Sequence, residues 1–98
     1  MEILTLPYHL LYSETSRNQI KQLHPDLKLI IRNRLKTLSK NPYIGKHLER
    51  ELSEYFSMRA KRYRIIYKIK EEHQIIEIHY VGHRRDIYEL LKEKIDGP

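Results

Sequence analysis

The sequence predicts an α+β domain in which an antiparallel sheet of about four strands carries an N-terminal helical hairpin on one face and is followed by a C-terminal helix. Residues 63–70 and 75–81 alternate in a period of two and are rich in isoleucine and tyrosine, a pattern typical of half-buried antiparallel strands. Between residues 27 and 38, apolar residues recur at spacings of three and four, which is typical of an amphipathic helix. The expected order is β-α-α-β-β-β-α. A chain of 98 residues has room for one domain, 1–98, with a core over about residues 7–94.

The N-terminal part of the chain predicts a strand and then a short helix. Residues 1–6 form an apolar leader, and residues 8–13 have the composition of a first strand. A short, polar helix is expected over residues 14–23. Ser13 or Thr15 is expected to cap it, because a short hydroxyl side chain accepts a hydrogen bond from an unpaired amide of the first turn.

A second helix is predicted between two prolines. Pro25 suits the first turn, since the amide that proline lacks would have no partner there. Pro42 disfavours helical geometry at the preceding residue, so the helix is expected to end before Asn41. Together the two helices form a hairpin that can cover one face of a sheet. The apolar stripe of the second helix consists of Leu27, Ile30, Ile31, Leu35 and Leu38.

The second half of the chain supplies the other strands and the last helix. We expect a loop over 41–45, a strand over 55–59 and a short polar link at 71–73 between the two hairpin strands. The segment 46–52 is ambiguous between loop and strand. After the second hairpin strand the apolar period lengthens, which predicts a helix over about residues 84–94.

The alternation assigns the hairpin side chains to two faces of the sheet. On the first hairpin strand, Arg64 and Lys68 are expected on the face opposite the aromatic and aliphatic set. On the second strand, Ile76, Ile78 and Tyr80 are expected to share one face. The core-facing set of the first strand consists of Tyr63, Ile65, Tyr67 and Ile69.

Composition limits the classes of partner and compartment. Nineteen Lys and Arg against 13 Asp and Glu give a formal net charge of +6, which points to a polyanionic partner, either nucleic acid or an acidic protein. The chain has no cysteine, so a disulfide framework and a thiolate metal site are excluded. It has no apolar run of ~20 residues and no basic leading region before such a run, so we expect a cytoplasmic protein without a membrane partner.

Several kinds of functional site are not expected. The chain has no glycine-rich phosphate loop and no zinc-protease motif, and only three glycines in all. His73, His79 and His83 are spaced along the hairpin and its corner, but no further ligand converges on them in the sequence. We therefore predict neither a metal nor a cofactor.

A set of cations around the hairpin is the candidate site. Arg84 and Tyr88 are four residues apart and share a helix face. If that helix lies beside the strands, they can converge with Arg64 on one phosphate. Metal-free RNA cleavage by attack of the ribose 2′-hydroxyl requires guanidinium groups to neutralise the developing charge and a group that transfers a proton. Tyr88 and His83 are the candidates for proton transfer. The cations expected to bind RNA phosphates are Arg59, Lys61, Arg62, Lys68 and Arg85.

A structural interpretation of the same residues stays open. Cations over residues 59–64 can serve to discourage pairing of an exposed strand edge. Tyr88 can be a core aromatic residue, and His83 can be a surface residue at the corner that follows the strand. The strand tyrosines can belong to the core rather than to a base-stacking surface.

Two motifs resemble a known family. The segment MRAKRYRIIYKI, followed by IIEIHYVGHRRDIYELL, resembles the RelE branch of the RelE/ParE toxin superfamily, as does NPYIGK over residues 41–46. The resemblance covers about residues 7–92. It implies a compact RelE-like α+β domain and a toxin of a type II toxin–antitoxin system that enters the ribosomal A site and cuts translated mRNA as a metal-independent endoribonuclease.

The resemblance also implies roles for individual residues. Arg64 matches the arginine proposed to stabilise the transition state, and Arg84 matches the arginine that shares this role or assists the leaving group. Tyr88 matches the tyrosine that orients the substrate by stacking or helps in proton transfer. Arg59 matches a position that is frequently basic.

The chain departs from the family pattern just before Arg59. Better-known members carry two lysines two residues apart on this strand, one of them a proposed general base, and the aligned positions here are Tyr55 and Ser57. The identity of the base is therefore open, and His83 is a candidate for it.

The partners implied by the resemblance are a cognate antitoxin, the ribosome with its mRNA, and operator DNA only through the antitoxin complex. Two alternatives remain. A ParE-like toxin would share the fold and poison DNA gyrase, and a degenerate toxin would bind its antitoxin without cleaving RNA.

Overall fold

A computed structural model of the chain describes residues 7–96, without the side chains of residue 90 and of residues 93–96. The apolar leader expected over residues 1–6 lies outside the described residues. Single turns of 3₁₀ helix occur at Pro42–Ile44, Arg50–Leu52 and Glu71–His73. The strands and helices, in chain order, are β1 (His9–Tyr12), α1 (Glu14–Lys21), α2 (Pro25–Lys40), β2 (Lys46–His47), β3 (Phe56–Ala60), β4 (Tyr63–Lys70), β5 (Ile75–His83) and α3 (Arg84–Asp96).

The strands form one five-stranded sheet in the order β1-β5-β4-β3-β2. The α+β class and the order of the major elements are confirmed, but the sheet has five strands rather than about four, and one of its pairs is parallel. β1 runs parallel to β5, with His9 opposite Ile75, and the other pairs are antiparallel. β2 has only two residues, too few to show a period, and the direction of β1 depends on tertiary packing that periodicity does not record.

The helix boundaries follow from their capping residues. Ser13 caps α1, because its Oγ accepts from the Ser16 amide at 3.0 Å, and the same hydroxyl donates to the His79 carbonyl at 2.9 Å. Of the two candidate caps, Ser13 is therefore the one used. α2 starts at Pro25 and ends at Lys40, as predicted from its two flanking prolines. In the part of the chain that the structure describes, no helix is long and apolar enough to cross a membrane.

Helices cover both faces of the sheet. The larger core lies between the sheet and the α1–α2 hairpin, where the apolar stripe of α2 meets β4 and β5. The smaller core lies on the opposite face, under α3. The larger core contains Ile31, Leu35, Leu38, Met58, Ala60, Ile65, Tyr67, Ile76, Ile78 and Val81, and the smaller one contains Tyr55, Ile66, Tyr80, Ile87 and Leu91.

A β-bulge in β5 moves Tyr80 to the face opposite the predicted one. Ile66 pairs with Tyr80 while the next residue, Tyr67, pairs with Ile78, so His79 is an extra residue on β5. An extra residue reverses the alternation beyond it. Ile78 therefore packs toward the α1–α2 hairpin and Tyr80 toward α3, so the expectation that they share a face was wrong.

The loop before β2 is held to the sheet by the hydroxyl of Tyr67. The Tyr67 hydroxyl donates to the Pro42 carbonyl at 2.9 Å and accepts from the Gly45 amide at 3.1 Å. The side chain is fully buried, and this burial raises the pKa of Tyr67 to about 12.

This burial predicts a loss of stability in alkali. The pKa of Tyr67 is about 12 in the folded chain against 10.0 for a free tyrosine. Its contribution to stability is therefore complete below about pH 10 and is lost as the pH rises toward about 12. We expect the free energy of unfolding, measured by urea titration, to decrease over that range. Tyr67→Phe should be less stable at neutral pH and should show a smaller alkaline decrease. An equal decrease in wild type and variant would contradict this assignment.

Candidate nucleic-acid interface

Arg64 occupies the centre of the cationic end of the sheet. It lies on β4, opposite Arg59 on β3 and opposite Gly82 on β5. Because its neighbours Tyr63 and Ile65 pack toward the α1–α2 hairpin, Arg64 lies on the α3 face. The predicted placement of Arg64 opposite the aromatic set is therefore confirmed.

The guanidinium of Arg64 is only partly satisfied. Its Nη1 donates to Ser57 Oγ at 3.2 Å, whereas Nε is buried without a hydrogen-bond partner. Among the described side chains, no carboxylate forms an ion pair with Arg64, and the residue opposite it on β3 is also an arginine. A buried donor and two facing like charges both reduce stability. This arrangement is favourable for an anion that supplies the missing acceptor.

Gly82 lets α3 lie close to the strand beside Arg64. A Cβ at Gly82 would be 3.3 Å from Ile87 Cδ1, so Ile87 occupies the space that a side chain would take. The first turn of α3 is also tied to the β3–β4 turn, since the Arg84 amide donates to the Arg62 carbonyl at 2.9 Å. The start of α3 is therefore fixed at the end of the sheet where Arg64 lies.

Arg84 and Tyr88 extend this site along α3. Arg84 is exposed and lies two residues after Gly82, the residue that pairs with Arg64. Tyr88 follows one helical turn later and is 42% exposed, so it is not a core residue. Arg84 thus lies at the same end of the sheet as Arg64, and Tyr88 is one helical turn further along α3.

His83 accepts a hydrogen bond through its ring and packs beside Tyr63. Its Nδ1 accepts from the Arg85 amide at 3.2 Å, and its ring lies edge-on to Tyr63 with 5.8 Å between centroids. A neutral imidazole that accepts at Nδ1 carries its proton on Nε2. The Nδ1 lone pair is therefore engaged by the backbone, and His83 lines a cavity at this end of the sheet.

Two adjoining cavities form a cationic groove beside Arg64. The larger, about 740 Å³, extends past the β3–β4 turn to His83, and the smaller, about 300 Å³, lies between the β2 side of the sheet and Arg64. Arg34 of α2 and Arg59 line both cavities. Among the described residues, no acidic side chain lines either one. The complete lining is Leu27, Arg34, Ile44, Gly45, Lys46, Ser57, Met58, Arg59, Lys61, Arg62, Tyr63, His83 and Arg64.

The β3–β4 turn presents two of the predicted phosphate-binding cations. Lys61 has φ of 56°, in the left-handed region that favours glycine, and Arg62 completes a two-residue connection between Ala60 and Tyr63. Arg59 also reaches this turn, because its Nε donates to the Lys61 carbonyl at 3.3 Å. A lysine at a position suited to glycine keeps a positive charge at the rim of the groove.

Two predicted phosphate-binding residues lie apart from the groove lining. Lys68 Nζ is 3.2 Å from Glu54 Oε2 and 4.7 Å from the Tyr55 ring centroid. It is four residues from Arg64 on the same strand, or about 13 Å at the ~3.3 Å rise of a strand. Arg85 is exposed on the first turn of α3.

The structure also locates Tyr55 and Ser57, the two positions where the chain departs from the resembled pattern. Tyr55 is 6% exposed and packs under α3, and Ser57 is 2% exposed and accepts the hydrogen bond from Arg64. Neither residue presents a basic group.

Arg34 and Lys46, by contrast, line the groove but were missed as candidates. Arg34 had only its position off the apolar stripe of α2 as a signal, and Lys46 lay in the ambiguous segment.

Comparison with known proteins establishes the family. A family model described as the ParE toxin of type II toxin–antitoxin systems, parDE, matches residues 10–88. The chain belongs to the RelE/ParE toxin superfamily. This toxin is 38% identical over 85 residues to toxin RelG of Mycobacterium tuberculosis, with 85% of this chain and 98% of that protein covered. The resemblance stated from the sequence motifs is therefore confirmed.

Solved structures agree with this membership. The toxin–antitoxin complex RelBE2 from Mycobacterium tuberculosis contains a chain that is 34% identical, with a TM-score of 0.73, and the match covers 81% of this chain and all of that one. The isolated E. coli RelE toxin is 18% identical, with a TM-score of 0.69, and 90% of this chain and 98% of that one are covered. At that identity the second match supports the RelE-like fold alone.

Proposed function

We propose that this RelE/ParE toxin is a metal-independent endoribonuclease that cleaves translated mRNA in the ribosomal A site and so inhibits translation. The observation that carries the proposal is the guanidinium of Arg64, which is partly buried, lacks an acidic partner among the described side chains and has an unsatisfied Nε. A phosphate placed there supplies the missing acceptor and a counter-charge.

The reaction is a transfer within the RNA. The ribose 2′-oxygen bonds to the adjacent phosphorus and the bond from phosphorus to the 5′-oxygen breaks, which leaves a 2′,3′-cyclic phosphate and a 5′-hydroxyl. Arg64 and Arg84 neutralise charge on the phosphoryl oxygens as it develops. Tyr88 donates a proton to the departing 5′-oxygen, and the 2′-hydroxyl proton passes to water. DNA is not cleaved in this way because it lacks the nucleophile.

The roles of the remaining residues follow from their contacts. His83 Nε2–H donates a hydrogen bond to a phosphate oxygen, because its Nδ1 is occupied by the Arg85 amide. No side chain is assigned as general base, since the family lysine positions are Tyr55 and Ser57. The groove cations Arg59, Lys61 and Arg62 hold the flanking RNA.

The cognate partner is an acidic antitoxin that covers the cationic groove. The similar chain in RelBE2 is part of a toxin–antitoxin complex, and a net charge of +6 favours a partner of opposite charge. Operator DNA is bound through that complex rather than by the toxin alone. The toxin acts in the cytoplasm, where translating ribosomes supply its substrate.

The proposal is tested by mapping mRNA ends after induction. Primer extension on a translated message should show new 5′ ends inside the coding region, and translation should stop. Arg84→Ala should reduce these ends at least about tenfold, because one of the two groups that neutralise the phosphoryl charge is lost. Growth arrest without new ends in coding regions would contradict the proposal.

A second function, poisoning of DNA gyrase, is favoured by the matching family model, which is named for the ParE toxin. Tyr55 and Ser57 stand where the resembled RNA-cleaving pattern has lysines, which favours a non-catalytic toxin instead. Stalled gyrase–DNA complexes in induced cells, without mRNA cleavage, would support gyrase poisoning. Absence of both effects, with tight binding to the antitoxin, would support a non-catalytic toxin.

A further inference from the structure

A strip of positive charge continues from the Arg64 site along the edge of β3. β2 pairs with β3 only at Ser57 and Phe56, so residues 58–60 form an open edge on that side within the described part of the sheet. The smaller cavity lies along this edge. Arg34 of α2 and Lys46 of β2 both line this cavity together with Arg64, although neither belongs to the strand that carries Arg64.

The charges on this strip are uncompensated. Neither Arg34 nor Lys46 forms an ion pair with any described carboxylate, and both are exposed. Arg34 also lines the larger cavity together with Arg59, so the strip is continuous with the groove at the β3–β4 turn. A groove of one charge sign attracts an extended polyanion along its length.

We propose that Arg34 and Lys46 bind a second backbone phosphate of the RNA, on the β2 side of the phosphate held by Arg64. This inference rests on the proposed function, because it takes single-stranded RNA as the ligand. Lys46 pairs with Ser57, which is two residues along β3 from Arg59, and Arg59 pairs with Arg64. With strands ~4.8 Å apart and ~3.4 Å per residue, the Cα atoms of Lys46 and Arg64 are about 12 Å apart. Lys46 and Arg64 line the same small cavity, and this Cα spacing lets Lys46 bind a phosphate next to the one that Arg64 holds.

The proposed phosphate site recognises charge and not a particular nucleobase. Lys46 is a flexible point charge and Arg34 a planar fork, and both bind phosphate oxygens without reading sequence. Arg34 and Lys46 therefore contribute affinity and position for the flanking strand, and Arg64 and Arg84 retain the chemical step. An acidic protein segment is the competing occupant, and the experiment below separates it from RNA.

The test measures binding of a labelled ten-nucleotide 2′-O-methyl RNA by fluorescence anisotropy at several salt concentrations. This ligand cannot be cleaved, so the result does not depend on catalysis. We expect Arg34→Ala with Lys46→Ala to reduce the slope of log affinity against log salt by about 0.7, the value for one phosphate of a single strand, and to weaken binding about fivefold at 0.1 M salt. Arg34→Lys with Lys46→Arg should restore both values.

The matched control is Lys36→Ala with Lys40→Ala. Both lysines lie on α2, are exposed, and are turned about 160° and 120° from Arg34 around the helix at 100° per residue. The control should keep the wild-type slope, and thermal melting should show that every variant is folded. An unchanged slope in the alanine pair, a slope change of equal size in the control, or undetectable RNA binding by wild type would overturn the inference. The inference would also be overturned if the alanine pair lost binding to an oligoglutamate peptide while its RNA binding stayed intact. A changed slope without mRNA cleavage would leave the phosphate site standing and contradict only the proposed function.

Discussion

Replacing Arg64 by alanine should reduce the rate of RNA cleavage at least about 100-fold, the usual effect of removing one preorganised group that stabilises a charged transition state. The substitution should cost the folded chain little stability, because Arg64 makes one side-chain hydrogen bond, has an unsatisfied buried Nε and faces Arg59. We therefore expect the melting temperature of Arg64→Ala to be unchanged or higher. The rate is measured by single-turnover cleavage of mRNA on purified ribosomes, and the melting temperature by circular dichroism.

Two further variants make the Arg64 measurement specific. Arg64→Lys keeps the charge and loses the planar fork, so its rate should fall between those of wild type and Arg64→Ala. Lys70→Ala removes a cation six residues away on the same strand, outside the groove lining, and should cleave at the wild-type rate. Equal cleavage by wild type and Arg64→Ala, or a large fall in melting temperature, would show that Arg64 has a structural role instead.

Replacing Gly45 by alanine should destabilise the chain by about 3 kcal/mol. A Cβ at this position would lie 2.3 Å from the Tyr67 hydroxyl and 2.9 Å from the Ser57 carbonyl. The carbonyl belongs to β3 and cannot move aside freely, so the loop must shift and lose the bond from the Gly45 amide to Tyr67. The backbone at Gly45 has φ of −80°, which any residue adopts, so the effect is steric. Urea unfolding measures it.

Gly82→Ala is the matched comparison for Gly45→Ala. The added Cβ would be 3.3 Å from Ile87 Cδ1, the far end of a flexible side chain. We expect a change within about 1 kcal/mol, because Ile87 Cδ1 has to move by only a few tenths of an ångström. If the two variants were equally stable, the close approach of residue 45 to Tyr67 would not affect the free energy of unfolding.

The elements with strong local patterns were predictable from sequence. The stripe of α2 and the alternation of β4 each extend over at least eight residues and are set by burial of one face. The β5 bulge was not predictable, because inserting His79 leaves the composition of the strand unchanged and reverses only its phase. β2 has two residues and carries no pattern.

The site was predictable where its residues are adjacent in the chain. Arg84 and Tyr88 are one helical turn apart, so the sequence alone indicates that they share a helix face. Arg64 lies on a separate strand, and its pairing with Gly82 brings it close to the start of α3. Arg34 joins the groove only because α2 packs on the sheet near the edge of β3. Its sequence context is that of any solvent-facing helical arginine, so only the tertiary fold identifies it.

The parallel pairing of β1 with β5 has a consequence for the order of folding. Ser13, at the end of β1, bonds to the carbonyl of His79, 66 residues later, so the first strand has no place in the sheet until nearly the whole chain has been synthesised. Closing so long a loop costs entropy before any contact repays it. During synthesis, β1 therefore stays unpaired and open to other chains until β5 has formed. The toxin reaches its final structure only after its last strand leaves the ribosome.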